Sequence, residues 1–407
     1  MQADVIIVGG GASGLVTAIM CARKGCKVLV LEHKKQIGKK LLATGNGKCN
    51  YTNRNISVDC YRGDKPEIPS FALQAFGPEE AVAFFEELGI YPKEKDGYVY
   101  PYSQQASSVV VVLQMELERL GVQVRYEKVQ SVSGGTCFCV NTEKQTYKAA
   151  YLVLACGGKA SPKLGADGSG YVLAKQLGHS IVEPVPALIG LKCQEAYYEK
   201  IAGVRVQAVV SLYIENVDGP VAKEQGELQL TSYGISGIPV FQVSRYAARA
   251  LTEQKNVWAK IDYMPEFSRE ELEKLLEERF TDNGKTAMQA LVGLLPEKLI
   301  PVFLQQSGIK VTMQAGKVKE MQRIQLAQQL KNKKTNIVDT NGFEHAQVTA
   351  GGVSTKEISS HTMESKLVKN LFFTGEIVDV DGICGGYNLQ WCWSSAYLAS
   401  EAIGERK

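Results

Sequence analysis

The opening 32 residues constrain this chain more than any other stretch. Residues 4–9 (DVIIVG) are an almost unbroken apolar run, the pattern of a parallel strand buried on both faces. Gly9-Gly10-Gly11-Ala12-Ser13-Gly14 follows and fits G-x-G-x-x-G. Residues 15–24 read as a helix ending near Gly25, and residues 27–32 (KVLVLE) as a second strand. Together they predict a βαβ unit, the opening half of a dinucleotide-binding fold. Gly9 permits the tight turn, Gly11 lets the backbone approach a pyrophosphate, and Gly14 lets helix and strand pack closely. Ala12 and Ser13 put helix N-terminal amides toward the phosphates. Glu32 ends the second strand 18 residues past Gly14. A carboxylate there can accept both hydroxyls of an adenosine ribose, and it would repel a 2′-phosphate. A glycine-rich structural turn is the alternative, but it requires neither the flanking elements nor the acid.

FAD and NAD share this fingerprint, so other segments must choose. Residues 371–376 (LFFTGE) are a buried strand followed by Gly375-Glu376, a turn that can place Glu376 on the ribityl chain of FAD. Gly382-Ile-Cys-Gly385-Gly386 leads into a helix whose first amides, with Tyr387, Asn388 and Leu389, can face the flavin pyrimidine edge. Residues 152–158 (LVLACGG) give a third strand-to-glycine turn, with Ala155, Gly157 and Gly158. Each alone is an ordinary α/β loop; the combination points to FAD. No second G-x-G-x-x-G exists, since residues 165–170 (GADGSG) have the wrong spacing. NAD(P)H is therefore expected as a transient reductant rather than a resident ligand.

At 407 residues the chain exceeds one ordinary core. The fold class expected is α/β: a three-layer Rossmann-like FAD domain, with a parallel sheet plus a small antiparallel layer, split by an insertion. The FAD domain is placed at 1–185 and 345–407, a β-rich insertion at 186–265 and 331–344, and a helical subdomain at 266–330. Helices are read at 78–88 and 104–120. Four short runs, at 122–127, 129–133, 136–141 and 145–148, are assigned to the antiparallel layer, and 151–156 to a further buried strand. Residues 186–262 show β-type runs and no long helical pattern. Ser268 and Glu271 form a capping box ahead of an apolar stripe at Leu272, Leu275, Leu276 and Phe280.

Net charge is +3 and no basic run carries interleaved aromatics, which argues against a nucleic-acid partner. No stretch of about 18 apolar residues predicts a membrane span. Met1 leads straight into a strand without a signal-peptide pattern, so a cytoplasmic location is expected, with the ten cysteines as thiols. Four histidines without paired Cys/His spacing give no metal site, and the absence of CxxC argues against a disulfide reductase.

Several segments resemble the BaiN/YhiN-like bacterial flavoproteins: Gly38 to Asn50 (GKKLLATGNGKCN), Val348 to Val353 (VTAGGV), Thr362 to Lys366 (TMESK), Gly375 to Gly382 (GEIVDVDG) and Gly386 to Gln390 (GYNLQ). The resemblance spans essentially the whole chain. It implies FAD, a split nucleotide domain, and an insertion with a barrel-like and a helical part. Members are labelled NAD(P)/FAD-dependent oxidoreductases or aminoacetone oxidases, and one branch is linked to reduction of bile-acid enones. The cofactor set it implies adds His33, Lys39, Lys40, Thr44, Gly45, Asn46, Gly47, Cys49, Asn50, Val129 and Asp381 to the residues named above. In Leu230 to Gly237 (LTSYGISG) relatives often carry histidine where this chain has Ser232, so a histidine-type acid or base is absent there.

The expected reaction is flavin-dependent reduction of an activated C=C or C=O in a small molecule. Tyr233 and Tyr387 are the candidate donors to the substrate oxygen, because a phenol can donate to a developing enolate. An oxidase, a quinone reductase and an RNA-associated flavoprotein remain alternatives. Lys39, Lys40 and Lys48 can neutralise pyrophosphate, and Cys49 reads as a small buried thiol or a neighbour of the flavin.

Overall fold

The computed structural model describes residues 2–65, 67–134 and 137–407. It divides into two compact units, residues 1–186 with 343–407, and residues 187–342.

The first unit is built on a seven-stranded sheet. Strand Gln2–Val8 lies between Val28–Glu32 and Thr146–Leu154, parallel to both, and Thr146–Leu154 pairs in parallel with Leu371–Phe373. Val5 to Val8, Val28 to Leu31 and Leu152 to Leu154 are all buried, which is why these strands read as unbroken apolar runs. Helix Ala12–Arg23 packs against the closing helix Tyr387–Gly404.

Two expectations about this sheet need correction. Residues 122–127 do not join the antiparallel runs: strand Gln123–Tyr126 extends the parallel sheet beside Val28–Glu32. It is a mostly exposed edge strand, so it lacks the apolar signature of its partners. Residues 145–148 and 151–156 are one strand, Thr146–Leu154. Its start pairs antiparallel with Phe138–Thr142, and its end is buried among parallel neighbours. Alternating burial therefore gives way to continuous burial along one strand, and the pattern reads as two.

In the second unit six strands close into a barrel: Leu191–Cys193, Arg205–Ile214, Ala222–Thr231, Gly234–Gly237, Val257–Asp262 and Lys333–Thr340. Leu191–Cys193 pairs with both Gly234–Gly237 and Lys333–Thr340, which joins the ends and removes the open edges. Contrary to the sequence reading, residues 186–262 hold a 15-residue helix, Ile238–Thr252. Pro239 sits in its first turn, and Val240, Val243, Ser244, Ala247 and Ala250 are buried along one face. Serine and alanine in that stripe dilute the apolar period. Helices Arg269–Arg279, Ala287–Leu291, Ile300–Gln306 and Glu320–Lys331 lie between the last two strands. Among the described residues no helix is long and apolar enough to cross a membrane.

Helix Arg269–Arg279 starts at the expected capping box: Ser268 Oγ accepts from the Glu271 amide at 3.1 Å, and Glu271 accepts from the Ser268 amide at 2.8 Å. Ser268→Ala is expected to cost about 1 kcal/mol and Ser268→Gly only a few tenths, read as a shift of the urea midpoint at constant slope.

Candidate functional site

Three glycine turns converge at the carboxyl ends of adjacent parallel strands, the usual position of a ligand crevice in such sheets. A Cβ on Gly9 would collide with the Ala155 carbonyl, and one on Gly14 with the Gly9 carbonyl. A Cβ on Gly375 would stand 2.5 Å from Ser13 Oγ. Gly9 and Gly375 also hold positive φ, +111° and +73°. The turns after strands Gln2–Val8, Thr146–Leu154 and Leu371–Phe373 are thus packed against one another. At Gly11, by contrast, an added Cβ would meet nothing within 4 Å. That open side leaves room for a pyrophosphate to approach the backbone of the motif's second glycine. Helix Ala12–Arg23 begins there with no side-chain cap, leaving first-turn amides available to an anion. Ser13 contributes an amide only, because its hydroxyl donates to the Thr374 carbonyl at 3.1 Å.

Glu32 is 8% exposed. One carboxylate oxygen accepts from the Gly10 amide at 2.8 Å and the other from the Lys34 amide at 2.7 Å. Both oxygens keep lone pairs for ribose hydroxyls, and the glycine loop itself orients the carboxylate. His33 lies beside it, with Nδ1 3.5 Å from Glu32 and Nε2 3.9 Å from Asp167. Val129 is buried three residues beyond Tyr126, which pairs with Glu32.

Glu376 accepts from the Thr349 amide at 2.7 Å and pairs with Lys40 at 2.7 Å. The Thr349 hydroxyl in turn accepts from the Lys159 and Ala160 amides at 2.8 and 3.0 Å, tying in the Gly157-Gly158 turn. Gly375 is held from both sides by the closing helix: its amide donates to Ser395 Oγ at 2.9 Å and its carbonyl accepts from Trp391 Nε1 at 3.0 Å. Lys39 and Lys48 are exposed, so of the three lysines only Lys40 joins this network.

The third group surrounds the start of helix Tyr387–Gly404, which also lacks a side-chain cap. Gly386 has φ +94°, and a Cβ there would stand 3.0 Å from Asn50 Oδ1. Asn50 is 8% exposed, and its Oδ1 accepts no hydrogen bond from the described residues. A buried acceptor beside free helix amides complements the pyrimidine edge of a flavin, which offers an N–H donor flanked by carbonyl acceptors. The Asn388 side chain grips Gly382 instead, donating to its carbonyl at 2.9 Å and accepting from its amide at 2.8 Å. Asp381 is buried in Asp381–Gly382, paired with Tyr61–Arg62, and Leu389 is half-buried. The loop over Thr44 to Cys49 turns through left-handed Gly45, Asn46, Gly47 and Cys49. Cys49 is buried, and desolvation pushes its thiol up to about 12.

Tyr387 is buried, and burial pushes its phenol up to about 12. Tyr233 belongs to the barrel unit, its hydroxyl close against Gly190. Tyr98 and Tyr100, missed from the sequence, lie on strand Tyr98–Pro101. Tyr98 is 37% exposed and brings Cε1 within 2.9 Å of a Gly385 Cβ, while Tyr387 flanks the same glycine at 3.0 Å. The alternation Tyr98-Val99-Tyr100, which puts both rings on one strand face, was the available signal. Tyr171, another omission, is buried beside Gly158 with an unpartnered hydroxyl. His179 is buried against Ser365 at 2.7 Å, and burial holds it below the usual histidine range.

The description HI0933-like protein Rossmann domain matches residues 3–402. A 3-dehydro-bile acid delta(4,6)-reductase of Clostridium scindens is 44% identical over 407 residues, covering 98% of both chains. Ribosomal RNA dihydrouridine synthases of Haemophilus influenzae and Escherichia coli are 30% and 31% identical, again over 98% of both chains. Among solved structures, the open conformation of a flavocytochrome c3 fumarate reductase aligns with TM-score 0.50 and 14% identity, over 99% of this chain and 78% of that one. It shares the fold.

Gly11→Ala is expected to leave the apoprotein melting temperature unchanged while weakening FAD at least about tenfold in a fluorescence titration; Gly14→Ala is expected to lower the melting temperature. Burial pushes the thiols of Cys49, Cys156 and Cys392 up to about 12. These three are therefore expected to resist iodoacetamide at pH 8 until denaturant is added, as peptide mapping would show.

Proposed function

This chain belongs to the HI0933-like Rossmann-domain family and is an FAD-dependent oxidoreductase, and on that premise we propose that it reduces a carbon–carbon double bond conjugated to a carbonyl, in a steroid- or bile-acid-like enone. The observation that carries this reading is the 44% identity, over nearly the full length of both chains, to the 3-dehydro-bile acid reductase. Asn50 and the amides opening helix Tyr387–Gly404 would hold the flavin pyrimidine edge, Glu376 the ribityl chain, Gly11 to Ser13 the pyrophosphate, and Glu32 the ribose. Bound FAD would supply two-electron hydride chemistry, with NAD(P)H as its transient reductant.

The chain's own part lies at the substrate oxygen. Reduction at the β carbon pushes electron density onto the carbonyl, and a phenol donating there lowers the barrier. Tyr98 suits that role better than Tyr387: it is partly exposed beside Gly385, whereas Tyr387 is buried.

A second substrate is favoured by the two relatives named ribosomal RNA dihydrouridine synthases. The 5,6 double bond of uracil is conjugated to the C4 carbonyl, so its reduction poses the same chemical problem as an enone.

The test is anaerobic reduction of the FAD-loaded protein with NADH or NADPH, then addition of a 4-en-3-one steroid, a uridine-containing RNA, a quinone or oxygen. Flavin reoxidation by the steroid is expected. Rapid reoxidation by quinone or oxygen, with neither alkene effective, would overturn the reading. Tyr98→Phe is expected to lower kcat about 100-fold at unchanged FAD content.

A further inference from the structure

Residues inside the barrel alternate with residues outside it along each strand. Val210, Leu212, Ala259, Ile261, Thr335 and Ile337 are buried. Their neighbours Ser211, Tyr213, Trp258, Lys260, Lys334 and Asn336 therefore point outward. Register aligns these outward positions into rows. Lys223 lies opposite Ser211, Ser211 opposite Lys260, and Lys260 opposite Lys334, one row across four strands. In the adjoining row Tyr213 lies opposite Trp258, and Trp258 opposite Asn336.

This arrangement is not what stability alone would select. Like charges directly opposite each other on a sheet destabilise it, and Lys260 faces Lys334. No ion pair among the described residues engages Lys223, Lys260 or Lys334; the acids bordering the patch include Glu224, Asp262, which pairs with Lys331 at 2.8 Å, and Glu195, which accepts from the Asn336 amide at 2.8 Å. The lysines gather instead around aromatic surface. Lys260 Nζ is 4.8 Å from the Tyr213 ring centroid and Lys334 Nζ 4.9 Å from that of Trp258. The two rings are 5.7 Å apart and within 5° of parallel. Residues 310–334, which run into the last strand, carry seven basic side chains and one acidic one.

We propose that this outer barrel face binds single-stranded RNA. A row of uncompensated cations beside half-exposed aromatic rings matches the two chemistries of a single-stranded polynucleotide, phosphates and bases. The aromatic pair distinguishes this face from a plain anion patch, which would need only the lysines. The choice of RNA over DNA rests on the uracil-reducing reading above. The patch itself is defined without reference to the flavin cradle.

The test uses the FAD-loaded protein and the fluorescence of Trp258. The other two tryptophans, Trp391 and Trp393, are fully buried in the first unit, so Trp258 reports on this face. Titration with a uridine 20-mer is expected to quench it saturably, with affinity falling as salt rises. Three neutralised phosphates give a log–log slope of about −2. A Lys260→Ala, Lys334→Ala double variant is expected to bind at least about tenfold more weakly, with FAD content unchanged. Four results would overturn the proposal: no quenching, equal affinity in the double variant, equal quenching by polyglutamate or anionic vesicles, or tighter binding of oligo(dT). Because the readout needs no turnover, its failure leaves the alkene-reduction reading standing, and loss of steroid or uridine reduction leaves the binding result standing.

Discussion

The first unit depends on the close approach of three backbone turns where side chains are missing. A methyl group at Gly9 or Gly14 would fall on a carbonyl oxygen, a collision with backbone that no rotamer change relieves. Because the turns touch, the amides of helix Ala12–Arg23, the Glu32 carboxylate and the Gly375-Glu376 turn are presented together. The Glu32 carboxylate bridges the Gly10 and Lys34 amides, so the residue suited to the ribose is also part of the loop's own scaffold. Such dual use keeps a buried charge hydrogen-bonded whether or not a ligand is present.

The closing helix has a second structural duty. Gln390 and Ser394 donate to the Phe76 carbonyl at 2.9 and 2.6 Å, and Trp393 to the Tyr51 carbonyl at 2.8 Å. Ser395 and Trp391 hold Gly375. These buried bonds are each worth about 1 kcal/mol net. They anchor the helix to the loop carrying Asn50 and to the turn carrying Glu376. Through Thr349, Glu376 is linked on to the turn at Gly158, and through its ion pair to Lys40. One polar network thus sets the spacing between the candidate flavin edge and the candidate ribityl contact.

Legibility from sequence followed the range of the signal. Gly9, Gly14, Glu32 and the Ser268 cap announce themselves because their partners are near in sequence or obey a fixed spacing. Helix Ile238–Thr252 was missed because serine and alanine fill its buried stripe. The burial of Tyr387 depends on packing against residues far away in the chain, such as Tyr61, so its local sequence does not announce it. Asn50, named only through resemblance, stands out structurally because its oxygen is buried and unpaired. Tyr98 carried only the strand alternation it shares with Tyr100, and Tyr171 no local mark of its position beside Gly158.

The sequence by itself determined the nucleotide-binding architecture, since strand periodicity and glycine spacing are local consequences of backbone sterics. It also determined the family. What only the tertiary structure decided is which distant groups meet. Lys40 meets Glu376, Asn50 meets Gly386, and Lys223, Lys260 and Lys334 line up beside Tyr213 and Trp258 although no linear run contains them. The physical reason is that strand register and barrel closure place residues by hydrogen-bond pairing, and pairing partners are chosen by the whole fold rather than by neighbours in the chain.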